Sequence, residues 1–132
     1  MSDTFDKETC ASLVNYRKEL AFSTLDDAKF LFNANRLNAS ANRLYYACFY
    51  IVEALLIKNG IKAGTHQGAK AMFSAHFIAT QKLDKQWGKY FSDVLNLRKT
   101  ADYDFFINYD KEDIEPLLQK ADTFINLVKD LI

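Results

Sequence analysis

The sequence predicts an all-α protein, an up-and-down antiparallel bundle of about five helices that forms one domain over residues 1–132. Three observations support this fold class. Apolar residues make up 49% of the chain and aromatic residues 14%, which is enough for a substantial core. One Pro and four Gly leave little material for hairpin turns. The apolar positions recur with the 3.6-residue period of a helix and not the two-residue period of a strand.

One stretch organises the bundle. Residues 44–57 read LYYACFYIVEALLI, and Glu53 is their only charged residue. This run is shorter than the roughly 20 apolar residues that cross a bilayer, so we expect a buried helix over residues 38–58 and no contact with a membrane. A narrow strip of that helix is polar or aromatic and consists of Asn42, Arg43, Tyr46, Tyr50 and Glu53. Because the apolar arc is wider than one bundle interior needs, we also predict a homodimer.

The first helix is expected over residues 10–36. Its predicted inner face carries Leu13, Leu20, Ala21, Thr24, Ala28 and Leu31. Arg17 falls in the middle of that face, which is unusual for a charged residue. Phe22 and Phe30 point the other way, toward solvent or a second molecule.

Polar residues mark the expected ends of the later helices. The candidates are Asn38 or Ser40 for the start of the central helix, Asn59-Gly60 for its end, Thr65 for the third helix and Asp84 for the fourth. For the fifth helix Asp110 and Asp113 both qualify as caps. Inside a helix Pro116 would clash with the carbonyl of residue 112, so we favour Asp113 and regular helix from about Ile114.

Residues at helical spacing, nearly all of them apolar, define the predicted inner faces of the last three helices. They are Ala69, Met72, Phe73, His76 and Phe77 in the third, Trp87, Tyr90, Phe91, Val94, Leu95, Leu97, Ala101 and Phe105 in the fourth, over residues 85–106, and Ile114, Leu117, Leu118, Ala121, Phe124, Ile125, Val128 and Ile132 in the fifth.

Composition narrows the functional classes. Lys and Arg (17) balance Asp and Glu (17), so no overall positive field draws nucleic acid, and any RNA or nucleotide site has to be local. Cys10 and Cys48 have no metal-binding spacing and suit a reduced, cytoplasmic protein. The polar N-terminus does not resemble a secretion signal. We expect no metal and no cofactor, because two isolated histidines, His66 and His76, make neither a metal site nor a triad.

Arg98 and Asp102 are the main anomaly. Both fall inside the apolar arc of the fourth helix and, four residues apart, they can pair with each other. One interpretation is a buried clasp that fixes the register of the helices. The other is a groove in which Arg98 presents its guanidinium to a phosphate and Asp102 orients it. We favour the groove, because Arg17 and Arg43 bring more inward positive charge than a single clasp would neutralise.

The candidate phosphate site therefore combines Arg98, Asp102, Arg43, Arg17, Tyr46 and Asn42. Arginines from three helices would converge on an anion such as a phosphodiester, or each could extend to water on its own. Tyr46 and Tyr50 beside Arg43 could stack on bases, although tyrosines at such positions more often pack with their hydroxyl groups at the surface. His66, at the start of the third helix, is more readily explained as a structural or capping residue.

Three motifs in this order resemble the HEPN family, particularly its small stand-alone prokaryotic members. They are Asn42-Arg43-x-Tyr45-Tyr46-Ala47, Thr65-His66-x-Gly68 and Leu97-Arg98-x-x-Ala101-Asp102-Tyr103. The resemblance spans the chain from about Tyr16 to the C-terminus. It implies an up-and-down bundle of four or five helices, commonly dimeric, and a minimal nucleotidyltransferase as a partner.

The resemblance also implies a role for Arg98. Active ribonucleases of that family carry an Arg followed after four to six residues by a His, and the pair cuts RNA without a metal. Arg98 matches that Arg, but Tyr103 stands where the His would be, and Tyr, with a pKa near 10, is a poor proton shuttle at neutral pH. His66 is the remaining candidate base. The candidate catalytic residues are thus Arg98, Tyr103 and His66, and the missing His argues against an enzyme.

Three hypotheses follow for the function. The protein binds nucleotide or RNA phosphate, alone or beside a nucleotidyltransferase in a toxin-antitoxin-type pair, or it is a metal-independent ribonuclease toxin, or it is a purely structural dimeric bundle.

Overall fold

A computed structural model describes the backbone of residues 6–103 and 108–132, and the side chains of residues 6–97 and 108–132. Within those ranges there is no strand, and the prediction of an all-α bundle is confirmed. The elements are α1 (Lys7–Asn33), α2 (Leu37–Lys58), α3 (His66–Phe73) with a following π-helical turn (Ser74–Ile78), α4 (Lys85–Tyr103) and α5 (Lys111–Lys129).

Helix α2 is the centre of the bundle, as predicted. It contacts α1, α3, α4 and α5, and α1 makes the most extensive of these contacts. Ile51 and Leu55 have no exposed surface, whereas the predicted strip is half-exposed. The wide apolar arc of α2 is covered by the other helices of the same chain, so its width does not by itself require a second molecule.

Aromatic side chains lock α3, α4 and α5 together. Phe91 stacks on Phe124 with ring centroids 5.9 Å apart, and Phe73 meets both rings edge-on at 5.5 and 6.0 Å. The Tyr90 hydroxyl donates a hydrogen bond to the carbonyl of Leu117 at 2.7 Å. Geometries of this kind add to the burial of large apolar surfaces, and they fix α3, α4 and α5 on one another.

Helix α1 begins and ends three residues earlier than expected. The Asp6 carboxylate accepts a hydrogen bond from the Thr9 amide at 2.7 Å and caps the helix, while Asn35 adopts φ 61° and stops it. The inner face is also rotated. Val14, Leu25 and Phe32 are buried, whereas the expected Leu13, Leu20 and Leu31 are half-exposed, because α1 packs against both α2 and α5.

The two phenylalanines expected on the outside of α1 behave differently. Phe30 is 72% exposed, as predicted. Phe22 is half-buried against the core, and the Lys129 ammonium lies 5.8 Å from the centre of its ring. Of these two side chains, Phe30 is therefore the one that offers a large apolar surface to solvent, because the end of α5 covers Phe22.

Neither expected N-cap of α2 is used. The helix begins at Leu37 without a side-chain cap. The buried Ser40 hydroxyl donates to the Ala28 carbonyl at 2.8 Å and ties α2 to α1 instead. Asn38 accepts a hydrogen bond from the Tyr109 amide at 3.0 Å and so ties α2 to the segment before α5. Tertiary contacts claimed both polar side chains. The expected end of α2 at Lys58, followed by Gly60 with φ 68°, is confirmed.

The prediction that α5 starts near Ile114 was wrong. The helix starts at Lys111, because Asp110 and Asp113 act together as a capping box, and the Asp113 carboxylate accepts from the Asp110 amide at 2.9 Å. Pro116 then lies inside the helix. Its missing N–H leaves the carbonyl of the exposed Glu112 without an intrahelical donor, at a place where water can replace it.

The expected caps of α3 and α4 are confirmed. The Thr65 hydroxyl accepts from the Gly68 amide at 2.8 Å, and the Asp84 carboxylate accepts from the Gln86 amide at 2.9 Å. His76 was expected to face inward but is exposed, because the π-helical turn widens the helix and rotates it outward. The inner face of α4 from Trp87 to Leu97 is confirmed, while Ala101, Phe105 and the expected end at residue 106 lie outside the described side chains.

Candidate functional site

A row of arginine and tyrosine side chains runs along the outer side of α2. We call Arg43, Tyr46 and Tyr50 of α2, together with Arg17 of α1, the Arg-Tyr strip. The Arg43 guanidinium lies 5.2 Å from the centre of the Tyr46 ring, and the Tyr46 and Tyr50 rings are 5.8 Å apart. Residues three and four apart share one side of a helix, which is why the sequence lines them up.

Arg17 completes the strip from the neighbouring helix. Its guanidinium carbon lies 5.7 Å from the centre of the Tyr50 ring and equally far from that of Tyr16. The side chain is therefore held between two aromatic faces, a favourable environment for a cation. Two of the three arginines that we expected to converge thus lie on one surface, at opposite ends of the pair formed by Tyr46 and Tyr50.

Asn42 fixes the direction of Arg43. Its side-chain oxygen accepts hydrogen bonds from Arg43 Nε at 3.1 Å and from Nη2 at 2.8 Å. Both side chains are half-buried. An arginine whose fork is already oriented loses less conformational entropy when it binds an anion than a mobile one would.

Glu53 holds Arg17 in place through an ion pair. Arg17 Nε lies 2.9 Å from Glu53 Oε1, and both atoms are shielded from solvent, although the approach is that of an ion pair and not of a linear hydrogen bond. Burial raises the pKa of the Glu53 carboxyl, and the positive charge of Arg17 opposes this rise. The pair costs Glu53 part of its hydration but keeps the arginine in place.

Residues 98–103 continue α4 as helix, but the side chains of Arg98, Asp102 and Tyr103 lie outside the described residues. Whether Arg98 and Asp102 form a clasp or line a groove remains a prediction. The Tyr109 hydroxyl donates to the Leu97 carbonyl, and the Tyr109 amide donates to Asn38 at the start of α2. This brings the backbone just before Arg98 toward the end of α2 that carries Arg43.

His66 belongs to an aromatic cluster that the sequence alone did not indicate. The Tyr45 hydroxyl is hydrogen-bonded to His66 Nδ1, and Phe49 stacks on the imidazole with centroids 4.5 Å apart. His66 lies in the first turn of α3, as expected. These contacts fit a structural role that fastens α3 to α2. Pairing of Tyr45 with a residue 21 positions away could not be read from the helix projection.

An apolar cavity of about 390 Å³ opens beside the Arg-Tyr strip. Residues on α2, the loop after it and α3 form most of its lining: Phe49, Glu53, Leu56, Ile57, Ile61 and Ala69. Cys10 of α1 and Lys62 of the loop also line it. Sequence analysis missed this cavity, because it forms only where three helices and a loop meet.

A wider polar cavity of about 680 Å³ lies at the other end of α2. The turn between α1 and α2 and the start of α5 form it, through Asn35, Arg36, Asn38, Tyr109, Asp110 and Lys111. Its lining carries two basic and two acidic side chains, so it has no clear preference for an ion of either sign.

The two cysteines have different environments. Cys48 has no exposed surface, and burial raises the pKa of its thiol to about 12. Cys10 is half-buried, and neither residue forms a disulfide. Among the residues that the structure describes, no three His, Cys, Asp or Glu side chains are grouped to hold a metal ion. In the same part of the chain, no helix has the length and apolar character that crossing a membrane requires.

A bundle of five helices with a basic aromatic strip defines a class of small all-α proteins, and comparison with known proteins identifies the family. The family model described as "HEPN domain" matches residues 14–131. The chain belongs to the HEPN family, as the three sequence motifs indicated.

Several relatives cover nearly the whole chain. A "UPF0332 protein" from Thermotoga maritima is 36% identical over 120 residues, which is 91% of both chains. Two proteins from Methanocaldococcus jannaschii are also similar. "Putative toxin MJ0142" is 36% identical over 88% of this chain and 83% of its own, and "Putative toxin MJ0605" is 30% identical over 84% and 82%.

Proposed function

We propose that this HEPN protein binds the phosphates of RNA or of a nucleotide on the Arg-Tyr strip, in a toxin-like role. The observation that carries the proposal is the arrangement of Arg17 and Arg43, each held over a tyrosine ring, at the two ends of one aromatic row.

The chemistry of the strip suits a short single-stranded segment. Each guanidinium is a planar donor that matches a phosphate, and each tyrosine ring offers a face on which a base can stack. Asn42 and Glu53 hold the arginines before any ligand arrives. Because the net charge of the protein is zero, binding depends on these few cations and not on a general field.

Arg98 and Asp102 extend the proposed site from α4. Tyr109 links the backbone of α4 at Leu97 to Asn38 at the start of α2. Arg98, the next residue, would then be a third arginine within the reach of the same phosphodiester, with Asp102 to orient it.

Titration of labelled single-stranded RNA tests the proposal. At low salt, about 50 mM, we expect Arg43→Ala and Arg17→Ala each to weaken binding by roughly tenfold, because each removes one phosphate contact. Lys89→Ala is the matched control, since Lys89 is a well-exposed cation on α4 that pairs with Asp93. Equal affinities for the native protein and both arginine variants would reject the strip as the binding surface.

A metal-independent ribonuclease is the second candidate, and the toxin names of the archaeal relatives favour it. Arg98, Tyr103 and His66 are the residues that would take part. RNA cleavage by the purified protein in the presence of a chelator, abolished by Arg98→Ala, would establish this function. Intact RNA under the same conditions leaves binding as the function.

The assembly is also part of the proposal. A homodimer and a pairing with a minimal nucleotidyltransferase, in the manner of a toxin and its antitoxin, both fit a HEPN protein whose Phe30 and Tyr16 are 72% and 56% exposed. Light scattering at tens of micromolar should give about twice the 15.2 kDa chain mass, and Phe30→Asp should lower it. A mass of one chain in both samples would rule out the homodimer.

A further inference from the structure

The apolar cavity and the Arg-Tyr strip share a wall. Glu53 lines the cavity and, through Oε1, also pairs with Arg17 of the strip at 2.9 Å. A ligand whose phosphate lay on the strip could therefore place another part of itself in the cavity. The lining of the cavity shows which part that would be.

We propose that the cavity holds a nucleobase and that Glu53 accepts hydrogen bonds from the donor edge of guanine. This inference rests on the proposed function, because the phosphate of the same ligand would lie on the Arg-Tyr strip.

The size and lining of the cavity suit a base. A volume of about 390 Å³ equals the share of roughly 13 water molecules in the liquid, which exceeds the volume of a flat purine. Phe49, Leu56, Ile57 and Ile61 supply apolar surface on several sides. Proteins that take up a single unstacked base combine such walls with a few polar groups at the edge of the ring.

The single acid in the wall selects the base. A carboxylate oxygen can accept two hydrogen bonds, and guanine presents two adjacent donors, its ring N1–H and its 2-amino group. Adenine and cytosine present one amino donor beside a ring acceptor, and uracil presents one N–H between two carbonyls. Oε1 lies against Arg17 and is shielded, so Oε2, which has two acceptor positions of its own, would accept both bonds.

Cys10 makes the location testable in the native protein. It lines the cavity and is half-buried, whereas Cys48 is fully buried. A thiol reagent such as a disulfide of thionitrobenzoate should therefore react first with Cys10. We expect saturating GMP to slow this reaction by at least about fivefold, while UMP at the same concentration changes it less than about twofold.

Calorimetric titration with GMP, IMP and UMP tests how the base is recognised. IMP differs from GMP only in lacking the 2-amino group. We expect GMP to bind about tenfold more tightly than UMP, with IMP between them. Glu53→Gln should bring the GMP affinity to within about twofold of UMP, because the single amide oxygen would stay with Arg17 and the amino group, which only donates, would face the base.

Two further variants separate the cavity from the strip. Ala63→Trp adds bulk to the cavity wall from the loop between α2 and α3, outside any helix, and should weaken GMP binding by about tenfold. Arg43→Ala should weaken all three nucleotides alike and preserve the preference for GMP. If Glu53→Gln fails to fold, Ala63→Trp and the protection of Cys10 still show whether the base lies in the cavity.

Equal affinities of the native protein for the three nucleotides, or unchanged reactivity of Cys10 with GMP bound, would overturn the assignment of the cavity. A preference for GMP that survives both Glu53→Gln and Ala63→Trp would do the same. RNA binding that depends on Arg43 could stand in each of these cases. Conversely, nucleotide and RNA affinities that are unchanged by Arg43→Ala and by Arg17→Ala would reject the strip itself.

Discussion

The two sides of α2 are stabilised by different interactions. On the side toward the core, Ile51, Val52 and Leu55 have no exposed surface. On the outer side, the Arg-Tyr strip is half-exposed and is held by an ion pair and by ring contacts. Burying one large apolar side chain contributes about 1.5 to 3 kcal/mol, whereas a half-exposed ion pair, which also loses hydration, contributes about 0 to 1. One side therefore supplies stability, and the other can be altered for binding at little cost to the fold.

The largest effect is expected on the core side. Leu55→Ala should lower the free energy of unfolding by about 2 to 5 kcal/mol, because it leaves a cavity that the surrounding helices cannot fill. Denaturant unfolding measures this change. Phe30→Ala is the control, since Phe30 is exposed, and its effect should stay within about 0.5 kcal/mol. Similar losses for the two variants would contradict the assignment of the core to α2.

Asp102→Ala tests whether α4 continues the outer side or the core side. If Arg98 and Asp102 line a wet groove, as we favour, the loss of unfolding free energy should be about 0 to 1 kcal/mol. If they form a buried clasp, removing the acid strands a guanidinium and should cost about 3 to 5 kcal/mol. Denaturant unfolding of Asp102→Ala, measured beside RNA titration of Arg98→Ala, separates these cases. A large stability loss with unaltered binding would exclude the groove.

The pH dependence of Glu53 should be smaller and has a definite sign. Because burial raises its pKa, the folded state binds this proton more tightly than the unfolded state does. The contribution of Glu53 is present below the unfolded pKa and is lost as the pH rises through the folded pKa. Glu53→Gln should thus gain stability relative to the native protein as the pH rises above the ordinary carboxyl pKa of 4.5. The opposite trend would mean that attraction to Arg17 outweighs burial.

Arg43→Ala should have the smallest effect on stability. Its contacts with Asn42 and Tyr46 lie at a half-exposed surface, so the free energy of unfolding should change by about 0.5 kcal/mol or less while RNA affinity falls. A loss above about 2 kcal/mol would show that the strip is part of the core after all.

The fold was predictable because helical periodicity is a local property. The apolar run of residues 44–57 identified the central helix, and the same projection isolated the strip that carries Arg43 and Tyr46. The caps formed by Thr65 and Asp84 were predictable for the same reason, since each involves residues two or three apart.

Several of the errors arose where distant residues meet. Asn38 and Ser40 looked like caps, but Asn38 bonds to Tyr109, 71 residues away, and Ser40 bonds to the Ala28 carbonyl of α1. The bond between Tyr45 and His66 and the apolar cavity beside Glu53 depend on how α3 sits on α2, which no single helix reveals. The homodimer predicted from the apolar arc of α2 stays a prediction, because projection of one helix cannot show how many neighbours cover it.

Trp87 provides a built-in optical signal that distinguishes unfolding from binding. It is the single tryptophan of the chain, it is 9% exposed, and it packs against Tyr90 and Phe124 between α4 and α5. Its emission should shift to longer wavelength when the two helices separate and water reaches the indole. Both the Arg-Tyr strip and the apolar cavity are built from other helices, so a ligand there should leave that emission almost unchanged. Fluorescence of the native protein then measures stability alone, and nucleotide titrations can be checked in the same cuvette.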